Sequence, residues 1–410
     1  MMPGAPLVAP ARTRFGFALQ VVALGALYFA TARVSLAMLA LHGQSPPLWC
    51  PAGIGLAGLV LLGVRAWPAV AIGAFLTNLD IVSPGGALII AAGNTLAAAL
   101  PAWLLRRRSG GTPSLEKLGD VLRLLWYGAI VGPALSAFIG LIALRTGASH
   151  NQVEDPILVL TWFVGCAAGV ALIAPLLIAW VGPRPSRVAA GRWPEMLGLL
   201  ACLLFASALT TQVTPLYALV AFPLVTWAAL RFGSRGATLA VLAIYGLNAL
   251  AVLGGHAPLP GTMLLSLRLF YTAVHLSYAT TGLLLAASAA EREQARQVER
   301  SVEDAYRALI AASPLAITGL DLEGRVTVWS HTAEKMFGWR ADEVIGQGQP
   351  NIPVGREAEF QSLLVHRDIP LSGMETVRRH KHGHEVDVLL SSWPLYDNAG
   401  RLSGSMSAMQ

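Results

Sequence analysis

Charged side chains are scarce in this chain. Only 13% of the 410 residues are Asp, Glu, Lys or Arg, whereas hydrophobic residues make up 55%. Soluble proteins carry about 25% charged residues, so the composition excludes one ordinary soluble domain. Most of the chain must therefore face lipid.

Cysteine is also rare. Cys50, Cys166 and Cys202 lie in or beside apolar segments and have no metal-ligand spacing. An odd number in this arrangement argues against a disulfide or zinc framework, and we expect no metal site. Because no cysteine follows residue 202, the later part of the chain cannot attach a flavin covalently.

Recognisable catalytic patterns are missing. The chain has no Walker loop, no phosphoacceptor helix or nucleotide lobe of a histidine kinase, and no Gly-Gly-Asp or Gly-Gly-Glu cyclase loop. Glycine-rich pieces such as residues 53–55 lie in an apolar segment, where they favour close helix packing over phosphate binding. We therefore expect no catalytic residue within the chain.

The net charge of +6 is unevenly distributed. Up to residue 288 there are 16 Lys and Arg against 6 Asp and Glu, and the remainder has 13 against 17. Basic loops beside anionic lipid account for the excess, so we expect the lipid bilayer and not nucleic acid as a partner.

Basic residues occupy alternate gaps between the apolar stretches of the first 290 positions. These are Arg12 and Arg14, then Arg65, then Arg106 to Arg108 with Lys117 and Arg123, then Arg184, Arg187 and Arg192, then Arg231 and Arg235. Cytoplasmic loops retain Lys and Arg. The pattern predicts an even number of spans with both termini in the cytoplasm.

About ten helical spans fit the apolar stretches, because about 20 residues are needed to cross the hydrocarbon core. They are 15–41, 48–64, 67–83, 85–105, 121–144, 156–180, 194–212, 215–231, 236–254 and 262–288. The second and third are short and interrupted by Gly and Pro, so this pair could instead be re-entrant or strongly kinked. This arrangement predicts a cytoplasmic segment 1–14 and a polytopic α-helical membrane domain, 15–288.

Polar residues inside spans are candidates for a ligand site: Arg33, Asn78, Asn94, Arg268 and His275, with Trp49 at a span end. An intramembrane arginine is costly unless it is paired or reaches the interface. Arg33 and Arg268 either act as structural hydrogen-bonding groups or line a pocket for a small anionic ligand, with Trp49, Asn78 and Asn94 shaping it.

A polar helix follows the last span. Ala295, Val298, Val302, Ala305 and Leu309 recur at steps of three and four, between charged residues. Residues 289–312 are therefore predicted to be a signalling helix that pairs with its twin in a homodimer. A merely amphipathic linker packed on the next domain is the alternative.

After residue 313 the hydrophobic period changes to two. Segments 317–321 and 325–329 predict one hairpin, 375–380 and 385–392 a second, and 402–409 a closing strand. Ser330 is expected to cap a helix that ends at Gly338, and 341–345 and 357–366 are further short helices. This is the pattern of an α+β domain with a five-stranded antiparallel sheet.

Histidines near the second hairpin invite a metal or haem interpretation. His380, His382 and His384 alternate along the turn with Lys381 and have no acidic partner in sequence, which favours a solvated turn. His366 is followed by Arg367 and Asp368, a solvent-facing setting, so we expect no haem.

The first 290 residues resemble the membrane-associated sensor domain of the first class, an input module of bacterial signalling proteins. The resemblance is carried by residues 47–54, 73–78, 93–96, 162–175, 227–233 and 283–292. It implies a multi-pass protein of the bacterial inner (plasma) membrane.

The chain departs from that family at four positions. The family usually has Pro at Cys50, an acid near Ala97, Asp at Cys166 and Gln at Arg268. Two intramembrane carboxylates are thus missing and a cation is added, which favours an anion.

Residues from about 302 to 410 resemble a PAS domain, a fold used for small-molecule sensing and dimeric relay, and the domain itself is expected at 313–410. Ser313-Pro314, residues 321–324, Trp329, residues 333–339 and residues 343–346 carry the resemblance. Its cofactor is not specified by the sequence.

These features predict a membrane sensor whose stimulus shifts the last span, the signalling helix and the PAS domain in turn. In relatives of this architecture an output domain begins where this chain ends, so a histidine kinase or a cyclic-di-GMP enzyme could follow. A transporter with a regulatory PAS domain is the rival, because Gly- and Pro-interrupted spans also suit alternating access. A scaffold that recruits a partner through the PAS sheet is a third reading.

Overall fold

The computed structural model describes residues 14–42, 48–147, 156–182, 193–210, 216–253, 265–397 and 399–410. Its contacts divide the chain into two compact units, Met1–Gln294 (the first unit) and Ala295–Gln410 (the second unit).

The regular structure of the first unit is helical. Its helices are α1 (Arg14–His42), α2 (Cys50–Leu62), a 3₁₀ turn (Val64–Ala66), α3 (Trp67–Asn78), α4 (Pro84–Arg108), α5 (Leu118–Arg123), a π-helical segment (Leu124–Val131), α6 (Gly132–Gly147), α7 (Pro156–Val181), α8 (Trp193–Thr210), α9 (Leu216–Leu253) and α10 (Leu265–Ala312), the last of which continues into the second unit. Extensive helix contacts are made by α4 with α6, α2 with α7, and α8 with α9.

Five helical segments among the described residues are long and apolar enough to cross a membrane: Phe15–Ala37, Pro84–Arg108, Leu118–Arg145, Pro156–Val181 and Thr272–Ala312. Two shorter apolar helices, Cys50–Leu62 and Pro194–Phe205, accompany them. The helical membrane region is thereby confirmed, and the total of about ten spans stays a prediction.

Helices α2 and α3 are shorter than a full span. They have 13 and 12 residues, which at 1.5 Å per residue is about 20 Å each, against about 30 Å of hydrocarbon. Proline near the first position of each helix fixes where it starts. The predicted alternative of a kinked or re-entrant pair is compatible with these lengths.

The ends of several helices that adjoin basic gaps meet at one end of the first unit. The Arg106 guanidinium donates to the carbonyl of Val60, which joins the ends of α4 and α2. The Arg235 guanidinium donates to the carbonyl of Ala179 at the end of α7. The backbone N–H of Leu118 donates to Glu291 on α10. We call this the basic end.

Gly233 interrupts α9. Its φ of 63° and ψ of −152° are not helical, and such a positive φ favours glycine. Arg231, before the break, forms a two-bond ion pair with Glu195 of α8. Arg235, after it, bonds to α7 and places its guanidinium 5.1 Å from the ring centroid of Trp180. The break therefore allows α9 to bond to α8 on one side of Gly233 and to α7 on the other.

The second unit contains a five-stranded antiparallel sheet in the order β2-β1-β5-β4-β3. The strands are β1 (Ala316–Asp321), β2 (Val326–Trp329), β3 (Leu371–Arg379), β4 (Glu385–Tyr396) and β5 (Leu402–Met409), and the short helices are α11 (His331–Phe337), α12 (Ala341–Val344) and α13 (Glu357–Val365). The fold class predicted for this part of the chain is confirmed.

The residues at its two ends predicted α11 correctly. The Ser330 hydroxyl accepts the N–H of Ala333 at 3.2 Å and that of Ile317 at 2.9 Å, so one side chain caps the helix and ties it to β1. Gly338 ends the helix in the left-handed conformation, with φ of 81°.

Strands β3 and β4 are longer than predicted. β3 starts at Leu371 instead of residue 375, through an irregularity before Met374 where Gly373 has φ of 68°. β4 continues past Ser392 through Pro394 to Tyr396. Because β3 pairs with β4 only as far as Ser392, Pro394 has a strand on one side alone and needs no second ladder bond.

Candidate functional site in the first unit

A small cavity with room for about one water molecule lies between α1, α2, α4, α6 and α7. It is lined by Tyr28, Trp49, Pro51, Ala52, Asn94, Ala97, Ala98, Gly132, Pro133, Ser136, Cys166 and Val170. None of these described lining residues carries a carboxylate or a basic side chain. The lining is mainly apolar, with a few uncharged polar side chains.

Ser136 is the centre of the hydrogen-bond network around the cavity. Its hydroxyl donates to Oδ1 of Asn94 at 2.7 Å and accepts the indole N–H of Trp162 at 3.1 Å. Ser136 is 3% exposed, so these bonds replace water that it cannot reach. The Cys166 thiol is within hydrogen-bonding reach of Ser136 and Trp162.

Tyr28 closes the network from the α1 side. It is 1% exposed, and its hydroxyl is within hydrogen-bonding reach of the Trp49 and Asn94 side chains. Four helices, α1, α4, α6 and α7, and Trp49 just before α2 therefore contribute groups to one connected polar cluster. A ligand that breaks one hydrogen bond of this cluster changes its stability, since a buried polar group left unpaired costs about 1–3 kcal/mol.

Glycines bring the backbones around the cavity close together. A Cβ on Gly53 would collide with the carbonyl of Gly169, and a Cβ on Gly169 would collide with the carbonyl of Trp49. The N–H of Trp49 also donates to the carbonyl of Gly165 at 2.9 Å. These approaches fix Trp49 against α7 at the rim of the cavity.

The cavity brings together two of the predicted site residues, Trp49 and Asn94. Asn78 is not among its lining residues and donates instead to the carbonyl of Ala74 in its own helix, at 2.8 Å. His275 is 5% exposed and packs edge-on against Tyr245, with ring centroids 5.4 Å apart. Arg268 belongs to α10, and its side chain lies outside the described residues.

Arg33 also lies away from the cavity lining. Its guanidinium pairs with the carboxylate of Asp80 at 3.0 Å, and the two side chains are 49% and 74% exposed. The charge of Arg33 therefore already has a partner within the protein.

The sequence prediction missed Tyr28, Ser136 and Trp162. Each is an ordinary residue of an apolar span, and only the packing of α1, α6 and α7 shows that they meet. A usable signal existed in the departures from the family pattern, because Ala97 and Cys166, two of those positions, both line the cavity.

The signalling-helix residues lie on the exposed part of α10. Val298, Val302 and Leu309 are 63%, 63% and 73% exposed, and Ala295 and Ala305 are exposed as well. An apolar stripe on a charged helix is thus uncovered in the single chain.

The second unit has an ion pair between a buried arginine of its sheet and a partly exposed glutamate. Arg378 is 3% exposed and its guanidinium lies 3.4 Å from Oε1 of Glu359 on α13. The Thr376 hydroxyl donates to the same oxygen at 2.6 Å. Burial raises the pKa of Glu359, but hydrogen bonds from Thr376 and Arg356 and the charge of Arg378 outweigh it, so this pKa is lowered.

Among the described residues of the second unit's interior, the side-chain amide of Asn351 and the Nε of Arg378 have no hydrogen-bond partner. Asn351 is fully buried. Its backbone carbonyl accepts the N–H of Arg379 at 2.8 Å, which anchors it at the end of β3. Buried amides of this kind hold an internal water or a polar ligand group.

The histidine turn is held by an acidic partner that the sequence did not show. The Lys381 ammonium pairs with both carboxylate oxygens of Glu343, at 2.6 and 2.7 Å. The rings of His380 and His384 stack with centroids 4.2 Å apart. In the part of the chain that the structure describes, no group of three or more His, Cys, Asp or Glu residues is placed to hold a metal. His366 points its Nδ1 at the carbonyl of Ser362.

A family model, MASE1, matches residues 20–294, which is most of the chain and contains the whole cavity. The chain belongs to the MASE1 family. A second model, the PAS fold, matches residues 304–410 of this MASE1 protein. The resemblances that the sequence motifs indicated are both confirmed. A MASE1 membrane sensor domain followed by a PAS fold fits a membrane signalling sensor.

Several solved structures are similar to this MASE1 protein over about a quarter of its length. A PAS domain from Colwellia psychrerythraea is 20% identical, with 27% of this chain and 95% of that chain covered and a TM-score of 0.24. The PAS domain of an HTR-like protein from Haloarcula marismortui is 18% identical, with 29% and 98% covered and a TM-score of 0.25. VqmA of Vibrio cholerae is 19% identical, with 25% and 49% covered and a TM-score of 0.23. No curated protein matches the MASE1 chain.

Proposed function

We propose that this protein is a sensor of the bacterial inner membrane in which a stimulus acts on the cavity around Ser136, α10 carries the change outward, and the PAS fold controls an output. The output is a histidine kinase or cyclic-di-GMP enzyme joined to the chain, or a separate partner protein. Both termini are then cytoplasmic, because the helix ends that adjoin the basic gaps meet at one end of the first unit.

The chemistry of the cavity favours an uncharged ligand. Its lining offers the Tyr28 and Ser136 hydroxyls, the Asn94 amide and the Trp49 indole, and no charged group among the described residues. Burying an ion without a partner is strongly unfavourable. Arg33, one of the two arginines predicted to bind an anion, pairs with Asp80 away from the cavity.

A series of neighbouring side chains runs from the cavity towards α10, and its last members are in ring contact. Cys50 follows Trp49 and lies in the neighbourhood of Tyr245 of α9. The Tyr245 ring packs against His275 of α10, and His275 packs against Tyr278 with ring centroids 6.3 Å apart. A guest that displaces Trp49 would thus press on the helix that leaves the membrane.

The hydrogen bond from the N–H of Leu118 to Oε1 of Glu291, 2.9 Å long, is the single observation that carries the relay. It joins the start of the span that contains Ser136 to the first acidic residue of α10. A ligand shifts an equilibrium only by its different affinities for two states. We propose that this bond is made in one state and lost in the other.

The exposed stripe of α10 supports a homodimer. Val298, Val302 and Leu309 recur at coiled-coil spacing and lie on the surface of the single chain. A second copy of the same helix would cover them, and a change in α10 would then alter how the two helices face each other.

Cysteine cross-linking in native membranes tests this proposal. We expect Val298→Cys to give a cross-linked dimer that the parent chain does not give. We expect Glu291→Ala to change the cross-linked fraction at least twofold, whereas Glu299→Ala, at an exposed carboxylate on the same helix, should leave it unchanged. The relay is wrong if the two alanine variants behave alike, and the dimer is wrong if Val298→Cys cross-links no more than the parent.

A further inference from the structure

The 3₁₀ turn and the end of α4, both at the basic end, carry arginines that have no carboxylate partner among the described residues: Arg65, Arg107 and Arg108. Other basic residues at this end are engaged by the protein, Arg106 with Val60, Arg123 with Asp120, Arg231 with Glu195, and Arg235 with Ala179. Arg65, Arg107 and Arg108 are exposed. Three guanidinium groups are thus left facing outward without compensation.

Two exposed tryptophans accompany these arginines. Trp67 is 50% exposed and Trp103 is 45% exposed. The guanidinium of Arg107 lies 5.2 Å from the ring centroid of Trp103. Trp103 precedes Arg107 by four residues, which is about 6 Å along the helix, so the ring lies deeper than the charge.

The five residues lie at the same end of neighbouring elements. The bond from Arg106 to Val60 holds the end of α4 against the end of α2. The 3₁₀ turn that contains Arg65 follows α2 directly and contacts α4. Trp67 begins α3, which packs along α4. Arg65, Trp67, Trp103, Arg107 and Arg108 therefore lie at the same end of contacting elements of the first unit, and we call this group the corner.

We infer that this corner is a binding site for the headgroup of an anionic phospholipid. Guanidinium groups bind phosphate oxygens through paired hydrogen bonds, and exposed indoles are most stable at the level of the headgroups. The arginines and the tryptophans lie at different depths, and one lipid molecule can contact both. The arginines reach its phosphate, and the tryptophans contact the upper part of its acyl chains. A free phosphate would satisfy the arginines but leave the tryptophan faces unused.

Lipid binding to the purified full-length chain in nanodiscs tests the site. We expect phosphatidylglycerol to be enriched around the protein over phosphatidylcholine, and the enrichment to fall about tenfold or more in R65Q/R107Q/R108Q, since each juxtamembrane base contributes about fivefold in affinity. The charge-conserving R107K/R108K should keep most of it. Native mass spectrometry of the retained lipid gives the readout.

Arg145→Gln is the matched control. Arg145 is also exposed and without a carboxylate partner among the described residues, but it lies in the last turn of α6, far along the helix from the basic end. We expect no change in lipid retention. The single variant R108Q, expected to lose about fivefold, keeps the test valid if the triple variant does not fold.

Three outcomes would overturn the site. One is retention of phosphatidylglycerol by R65Q/R107Q/R108Q at the parent level. Another is an equal loss in Arg145→Gln. The third is displacement of the lipid by inorganic phosphate at constant ionic strength, which would mean that the corner recognises a soluble anion.

Discussion

The hydroxyl of Ser136 on α6 donates to Oδ1 of Asn94 on α4 over 2.7 Å. Trp162 of α7 donates to the same hydroxyl, so one small side chain joins three helices of the membrane domain. Close approaches of Gly93 to Ile139 and of Gly132 to the Ala97 carbonyl also fit α4 and α6 together. The Ser136 bonds add a directional polar contact to this packing.

Ser136→Ala should lower the free energy of unfolding by about 1–2 kcal/mol, because it leaves the Trp162 N–H and the Asn94 carbonyl without their partner inside the membrane. Unfolding in mixed micelles measures the change. Ser277→Ala is the control, since the exposed Ser277 hydroxyl bonds only within its own helix, to Ala273. Equal effects of the two substitutions would contradict the importance of the network.

Gly169→Ala should be among the most damaging single changes, at about 3 kcal/mol or more, because its Cβ would collide with the Trp49 carbonyl and neither backbone can retreat. Gly198→Ala in α8 meets nothing within 4 Å and should stabilise by up to about 1 kcal/mol through its better helix propensity. The same micelle assay compares them. A tolerated Gly169→Ala would show that α2 and α7 are less closely packed than described.

Glu359→Gln should destabilise the PAS fold by about 3 kcal/mol, because it leaves the buried Arg378 charge without its carboxylate. Amide hydrogen exchange in β3 and β4 of the full-length chain is the measurement, with Glu385→Gln at an exposed position as control. Glu359→Leu combined with Arg378→Met should recover most of the loss, since apolar side chains of similar volume can replace a buried pair.

Acid should weaken the same contact. The pKa of Glu359 is lower in the folded protein than in the unfolded chain, so its contribution is complete above the unfolded value of about 4.3 and is lost as the pH falls through the folded value. Hydrogen exchange in β3 should therefore accelerate below about pH 4 in the parent and depend less on pH in Glu359→Gln. An identical acid response in both would assign the effect to other carboxylates.

Acid should also weaken the turn that contains His380, His382 and His384, and this loss of stability should begin at a higher pH than the loss at Glu359. Burial, and then the charges of His384 and His382, lower the pKa of His380. Because the folded turn resists protonation, its stability is lost as the pH falls below the unfolded value of about 6.5. His384→Gln should return the pKa of His380 towards its ordinary value, as measured by imidazole hydrogen exchange, while His366→Gln should leave it unchanged.

Local patterns predicted the fold well where short-range chemistry decides it. Ser330, Gly338 and the alternation of β5 place a cap, a helix stop and a strand within one or two residues of their observed positions. The extension of β4 through Pro394 was not predictable locally, because it depends on which edge of the strand lacks a neighbour.

The candidate site was only half predictable for a related reason. Asn94 and Trp49 are conspicuous in an apolar sequence, but their importance depends on Ser136 and Tyr28, which look unremarkable until the helices pack. Arg33 was conspicuous as well, yet its partner Asp80 lies 47 residues away in sequence. The sequence shows which polar residues are unfavourable to bury in a membrane. The partner that stabilises each of them is defined only by the packing of the helices.

The break at Gly233 has a mechanical consequence for the membrane domain. In an unbroken helix, Arg231 and Arg235 would point to the same side, being four residues apart. Here Arg231 bonds to α8 and Arg235 bonds to α7, so these two arginines hold three helices together at one end. Relative movement of the three helices is then smallest at this end and largest at the opposite end.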